Sequence, residues 1–388
     1  MPKTVIDRCL RTGLAVALAA LAATAGAVPA RGLPRTAPPS PASGAPPSPA
    51  SASPARGEPG PPDAVKASAY PVKLRSAPRR LSVGYTYRGR EHTLEDFLSR
   101  TKTNGFVVLD GQRIVYERYA GADRDTLFQS WSVAKSFTSA AVGIALHEGR
   151  IRSIDDPVTR YLPRLRGSGY DGVSVRDLLR MSSGIAWDER SDVPRLQAAV
   201  NRGVPVMTAA ARQVRGWEPG SRFEYTSVNS TVLAGVVSAA TGMPYHRYVE
   251  RKIWKPAGMA STAYIGADSG GDGLGYCCYY ATDRDLARFG LLYLRGGKAH
   301  GRQVVPRSWV SRSTRPSAAF NPRYGLHWWL GDGREGDFMA AGLGGQYIYV
   351  SPRHGVVIVK SVRSISVPAR QETLVAFRAV AEEVAGTR

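Results

Sequence analysis

The chain has 388 residues, and its 52 Lys and Arg against 31 Asp and Glu give a formal net charge of +21. That length suffices for one large domain or two smaller ones. The basic residues are scattered and accompany no nucleic-acid-binding motif, so the charge does not point to a nucleic-acid partner; it reads as a solvated arginine-rich surface, with a loose attraction to an anionic cell surface as the alternative.

In chain order, Lys3, Arg8 and Arg11 precede a short apolar run over 14–21 and small residues over 25–30. This predicts a secretory signal peptide over 1–30 and a secreted or extracytoplasmic protein. The run is short for a bilayer-spanning helix, which favours cleavage over a retained anchor. A stretch rich in Pro, Ala and Ser follows, including Pro34, Pro38, Pro39, Pro41, Pro46, Pro47 and Pro49. Such a composition buries no core and predicts a disordered spacer, set here at 31–84. The folded unit is then 85–388.

Residues 105–110 read as a strand, Asp110-Gly111 as a hairpin turn and 113–119 as the return strand. At the far end, 346–350 and 356–362 read as strands and 371–385 as an amphipathic helix. Helical patterns fill the middle at 175–180, 196–214, 230–241, 245–252 and 282–295. Strands from both ends with a helical block between them predict an α+β fold, an antiparallel sheet flanked by helices with an inserted helical subdomain. Trp328-Trp329 reads as core packing at a strand end rather than a pocket wall.

The segment after the first hairpin is Gln129-Ser130-Trp131-Ser132-Val133-Ala134-Lys135-Ser136-Phe137-Thr138. A serine hydroxyl needs a base within hydrogen-bond reach to become a nucleophile. Residues i and i+3 share a helix face, so Lys135 reaches Ser132. The helix N-terminus also favours negative charge on the serine oxygen. An ordinary N-cap serine has the same look, and the motif alone leaves both readings open. Ser99-Arg100-Thr101-Lys102 repeats the spacing, but nothing there buries the lysine, and a basic lysine must be desolvated.

Two further segments add chemistry. Tyr225 lies in a loop before the helix near Ser230, where a phenol beside a lysine can shuttle a proton. Ala341-Gly342-Leu343-Gly344-Gly345-Gln346 enters a strand, where glycines let a substrate approach the backbone. A main-chain amide there can complete an oxyanion hole with that of Ser132. Cys277 and Cys278 are adjacent and cannot staple distant segments; a vicinal bond needs a strained ring, so two partly buried thiols are expected. The six histidines show no metal-ligand spacing, and neither metal nor cofactor is expected.

Taken in order, the three elements resemble the serine β-lactamase and penicillin-binding-protein superfamily, in its class C β-lactamase, family VIII esterase and 6-aminohexanoate-dimer hydrolase branch. The resemblance spans about 85–385. It extends to Asp155-Asp156-Pro157, to Asp177-Leu178-Leu179 with Ser182-Ser183-Gly184, to Lys255-Pro256-Ala257-Gly258-Met259 and to Asp283-Arg284-Asp285-Leu286. It implies Ser132 as the acylated nucleophile, Lys135 as the base and Tyr225 as the proton shuttle, with Ser227, Asn229, Gly344, Gly345 and Gln346 around substrate and oxyanion.

The departures bear on substrate. The family's Tyr-x-Asn is Tyr225-Thr226-Ser227 here, with Asn229 two residues on. Leu343 stands where lactamases and peptidases carry a cation. Losing a charge-assisted contact costs about 1.5–3 kcal/mol, which disfavours anionic lactams and D-Ala-D-Ala termini. The segment after Trp187 lacks the tyrosine that the nylon-oligomer enzymes carry there. The expected activity is hydrolysis of a small ester, amide or peptide-like substrate through an acyl-enzyme. The alternatives are a β-lactamase or D,D-peptidase, and a non-catalytic cell-wall peptide-binding module.

Overall fold

The computed structural model describes residues 63–365 and 370–386. The predicted signal peptide and the first part of the predicted spacer lie outside these residues.

Period-two alternation builds the main sheet. Along Val356–Ser361 (β15), Val356 and Ile358 enter one core while Val357 and Val359 enter the other. Gly105–Asp110 (β5) repeats this, with Phe106 and Val108 on one side and Val107 and Leu109 on the other. A strand buried on both faces needs helices above and below it. On one face lie Leu94–Arg100 (α1) and Arg370–Gly386 (α10), contributing Phe97, Phe377 and Val380. On the other lie Ala134–His147 (α2) and Asp283–Leu294, where Phe137 stacks on Phe289 with ring centres 3.7 Å apart.

Seven strands form this sheet, in spatial order Trp329–Leu330 (β12), Phe338–Gly342 (β13), Gln346–Ser351 (β14), β15, β5, Arg113–Tyr119 (β6) and Arg75–Ser76 (β2). All neighbours are antiparallel except β2, which runs parallel to β6. The predicted hairpin and both predicted C-terminal strands are thus adjacent, with β15 closing on β5 from Val356↔Asp110 to Ser361↔Gly105.

A second sheet of four short strands has the order Asp63–Val65 (β1), Ala263–Ile265 (β8), Tyr279–Ala281 (β9) and Phe128–Gln129 (β7). Hairpins Gly84–Tyr87 with Arg90–Thr93 (β3, β4) and Lys298–Ala299 with Arg302–Gln303 (β10, β11) complete the strands. The helical insert comprises Val175–Leu179 (α3), Glu189–Asn201 (α4), Val206–Ala211 (α5), Ser227–Thr241 (α6) and Tyr245–Val249 (α7). Asp283–Leu294 is α8 and Arg307–Ser313 is α9.

Three expectations are corrected. The spacer does not run to 84: β1 pairs with β8, β2 pairs with β6, and Val65, Val72 and Val83 are buried. Isolated valines in a polar stretch carry no periodicity, so only their distant partners reveal them. The single helix expected over 196–214 is two helices, parted by Gly203 at φ 82° before Pro205. Cys277 and Cys278 are not separate thiols but form a vicinal disulfide, at a turn where Cys278 takes a left-handed φ of 70°.

Candidate active site

Ser132 sits in a 3-10 turn, Trp131–Val133, that feeds α2. Ser130 ties this turn to the small sheet: its amide donates to the Tyr279 carbonyl at 2.7 Å and its hydroxyl accepts from the Tyr279 amide at 3.2 Å. Trp131 is held at φ 46°, a left-handed conformation that costs a non-glycine residue about 1–3 kcal/mol and persists only where the surroundings enforce it. Gly342, the end of β13, lies so close that a Cβ there would meet the Ser130 carbonyl.

Lys135 follows one turn on, 1% exposed. Its Nζ lies 2.8 Å from Ser132 Oγ, 3.0 Å from Ser227 Oγ and 3.0 Å from the Tyr276 carbonyl. Burial pushes its pKa down to about 8, and the charge of Glu189 pulls partly the other way. Tyr225 is half-buried, with its ring centre 5.0 Å from Nζ. Burial first, then Glu189, push the phenol well above its ordinary value, so it holds its proton. The set contains a serine, a lysine able to shed its proton near neutrality, and a phenol that keeps its own. The decoy differs as expected: Ser99 and Lys102 are both exposed.

The remaining predicted residues divide. Ser227, first in α6, joins the cluster. Asn229 does not: its Oδ1 accepts from the Tyr170 hydroxyl at 3.0 Å, deep in the helical insert. Residues two apart on a helix do not share a face, so one of this pair had to point away. Gly344 and Gly345 adopt φ of 83° and 109°, and the β13–β14 turn itself requires them. Lys360, buried below, donates to the Gly345 carbonyl at 3.2 Å. The Gln346 side chain is committed to the main chain of Val362, at 2.7 and 3.2 Å, which leaves only its main-chain amide for a substrate.

Two features escaped the sequence. Glu189 accepts from Trp187 Nε1 at 2.7 Å, from the Ser227 amide at 3.0 Å and from the Ser227 hydroxyl. It caps the N-terminus of α6, where the Thr226 side chain makes no cap, and sets a negative charge behind Ser227, the residue that contacts Lys135. Its only signal was an acidic residue opening a helix 38 positions upstream. Trp329, paired with Trp328 as core in the sequence, is only partly buried and stacks on Tyr225 at 5.6 Å and 21°, whereas Trp328 is fully buried.

A sheet with helices on both faces, and a buried Ser-x-x-Lys with a tyrosine between it and a helical insert, define a class: serine hydrolases of the β-lactamase fold. The chain belongs to the β-lactamase family, whose model matches residues 92–374. It is 33% identical to the 6-aminohexanoate-dimer hydrolase of Paenarthrobacter ureafaciens over 291 residues, 69% of this chain and 74% of that one. An esterase of Burkholderia gladioli is 27% identical over 219 residues, 52% of this chain and 55% of the esterase. A Bacillus anthracis structure provisionally assigned as a 6-aminohexanoate-dimer hydrolase superposes with a TM-score of 0.76 at 24% identity, over 84% of this chain and 91% of that one. At that identity the likeness concerns the fold. The protein is therefore an enzyme, a hydrolase of this family, and not a non-catalytic module.

Proposed function

We propose that the protein is an exported hydrolase that cleaves an ester or amide through an acyl-enzyme on Ser132. The Lys135 amine takes the Ser132 proton as Oγ attacks the carbonyl, and the main-chain amides of Ser132 and Gln346 hold the oxyanion. Tyr225 delivers a proton to the departing alcohol or amine as the scissile bond breaks. The Lys135 ammonium reprotonates Tyr225, water then attacks the acyl-enzyme ester while giving a proton to the Lys135 amine, and Lys135 returns that proton to Ser132 Oγ as the acid leaves. The observation that carries this reading is the 2.8 Å contact between Ser132 Oγ and a buried lysine whose pKa burial brings to about 8. Amides of ω-amino acids enter the candidate substrates through the named activity of the Paenarthrobacter relative.

Ser132→Ala is expected to abolish turnover of p-nitrophenyl butyrate and labelling by a fluorophosphonate. A mutant that keeps the wild-type rate sinks the assignment. Nitrocefin turnover exceeding that of every ester and amide would favour the lactamase alternative. Export rests on the basic, then apolar, then small-residue order of 1–30. It is tested by the mature N-terminus of the protein recovered outside the cell, and salt-sensitive release from the cell would reveal the loose surface association.

A further inference from the structure

The oxyanion hole proposed above depends on one peptide plane, the link between Gly345 and Gln346. A trans peptide is planar, and its carbonyl and its N–H point to opposite sides. Whatever holds the Gly345 carbonyl therefore aims the Gln346 N–H. Gly345 has a φ of 109° and, as a glycine, tolerates a wide range of ψ, so the turn by itself fixes that plane weakly.

Lys360 holds it. Its ammonium donates to the Gly345 carbonyl at 3.2 Å, the one hydrogen-bond partner it has among the described residues. Lys360 lies two residues beyond Ile358 on β15 and so shares the face of Val356 and Ile358; its Nζ is 6.0 Å from the ring centre of Phe97 in α1. The turn that holds Ser132 feeds α2 on the other face, where Val133 and Phe137 join the second core. A carbonyl drawn toward Lys360 thus sends the N–H of the same plane toward the face of Ser132. The Gln346 side chain, tied to the main chain of Val362, secures the other end of the plane.

A lysine in this place is costly. Lys360 is fully buried on a strand whose first four residues are apolar, and desolvating an ammonium opposes folding, a penalty that an apolar side chain of equal length would avoid. What the lysine adds is a donor. A hydrogen bond accepted by the carbonyl orients the peptide and polarises it, which strengthens its N–H as a donor on the far side.

We propose that Lys360 is the positioning residue of the oxyanion hole: by holding the Gly345 carbonyl it turns the Gln346 N–H toward the oxygen that becomes negative as Ser132 attacks. The inference rests on the hydrolase reading above and adds to it a residue that acts through the peptide rather than on the substrate.

The test compares catalysis with binding of 1-butaneboronic acid, whose tetrahedral adduct with Ser132 mimics the transition state. Lys360→Met should lower kcat/KM for p-nitrophenyl butyrate by about 10–100-fold, less than outright loss of one oxyanion donor, and should weaken boronate inhibition in step. An inhibition constant does not depend on how much of the enzyme is folded, so a purely structural role of Lys360 would not move it. Lys360→Gln, which keeps an N–H donor on a shorter arm, should recover part of both losses. Asp283 is the buried carboxyl whose charge acts on Lys360, and Lys360→Met/Asp283→Asn removes both charges together, which keeps the measurement open if the single variant fails to fold. A boronate inhibition constant within about twofold of wild type in the folded variant, with turnover still dependent on Ser132, overturns the role of Lys360 alone. A wild-type protein without Ser132-dependent turnover overturns the hydrolase reading and this one with it.

Discussion

At the residue scale the site turns on one proton. Lys135 can accept the Ser132 proton only when it is an uncharged amine. Burial lowers its pKa to about 8, so the competent fraction grows as pH rises through that value. The kcat/KM of p-nitrophenyl butyrate hydrolysis should therefore climb with pH and level off above an apparent pKa near 8. No early falling limb should follow, because burial and Glu189 hold the Tyr225 phenol protonated. The sign for Glu189 is opposite to that of burial: its negative charge favours the ammonium and raises the lysine. Glu189→Gln should thus move the rising limb to lower pH, while weakening the cap on α6. An unmoved limb would show that Glu189 serves only as a helix cap.

At the element scale, α2 must satisfy two neighbours at once. Its first turn carries Lys135 and follows directly on the turn that holds Ser132, and its body packs against α9 through Gly143, where an added Cβ would overlap the Trp309 ring. Alanine has the higher helix propensity, by about 1 kcal/mol. Overpacking against a buried indole costs about 1–3 kcal/mol. Packing should win, so Gly143→Ala should lower the urea midpoint without changing the slope of unfolding; a rise would refute the contact. The same competition explains what the sequence concealed here. A glycine inside an apolar helical run looks like a weakness, and only the indole opposite gives it a purpose. The β5–β6 hairpin was legible because strand period and turn chemistry are local. The facing of Asn229 was not legible, since the helix was expected to begin near Ser230 and the structure starts it at Ser227.

At the scale of the whole molecule, residues 63–84 are the part of the fold that composition hid. Val65, Val72 and Val83 are buried, Val72 donates its amide to the Gly258 carbonyl and accepts from Arg288, and β1 closes the edge of the small sheet. Burying a valine is worth about 1.5–3 kcal/mol, and three of them rival the whole stability of a domain, about 5–15 kcal/mol. A chain beginning at residue 63 should fold and hydrolyse esters, whereas one beginning at 85 should melt far lower or aggregate. Equal melting temperatures for the two would return this segment to the spacer.

The sequence by itself determined the elements whose information is local: the hairpin at 105–119, the Ser132–Lys135 spacing on one helix face and the alternation of β15. It also determined the family, through short motifs kept in order. Tertiary structure alone decided that Ser227 rather than Asn229 meets the lysine, that Glu189 stands behind it, and that Trp329 lies on Tyr225. The physical reason is range: propensity and periodicity act over a few residues, whereas desolvation, charge and stacking act between side chains that meet only after the chain has folded.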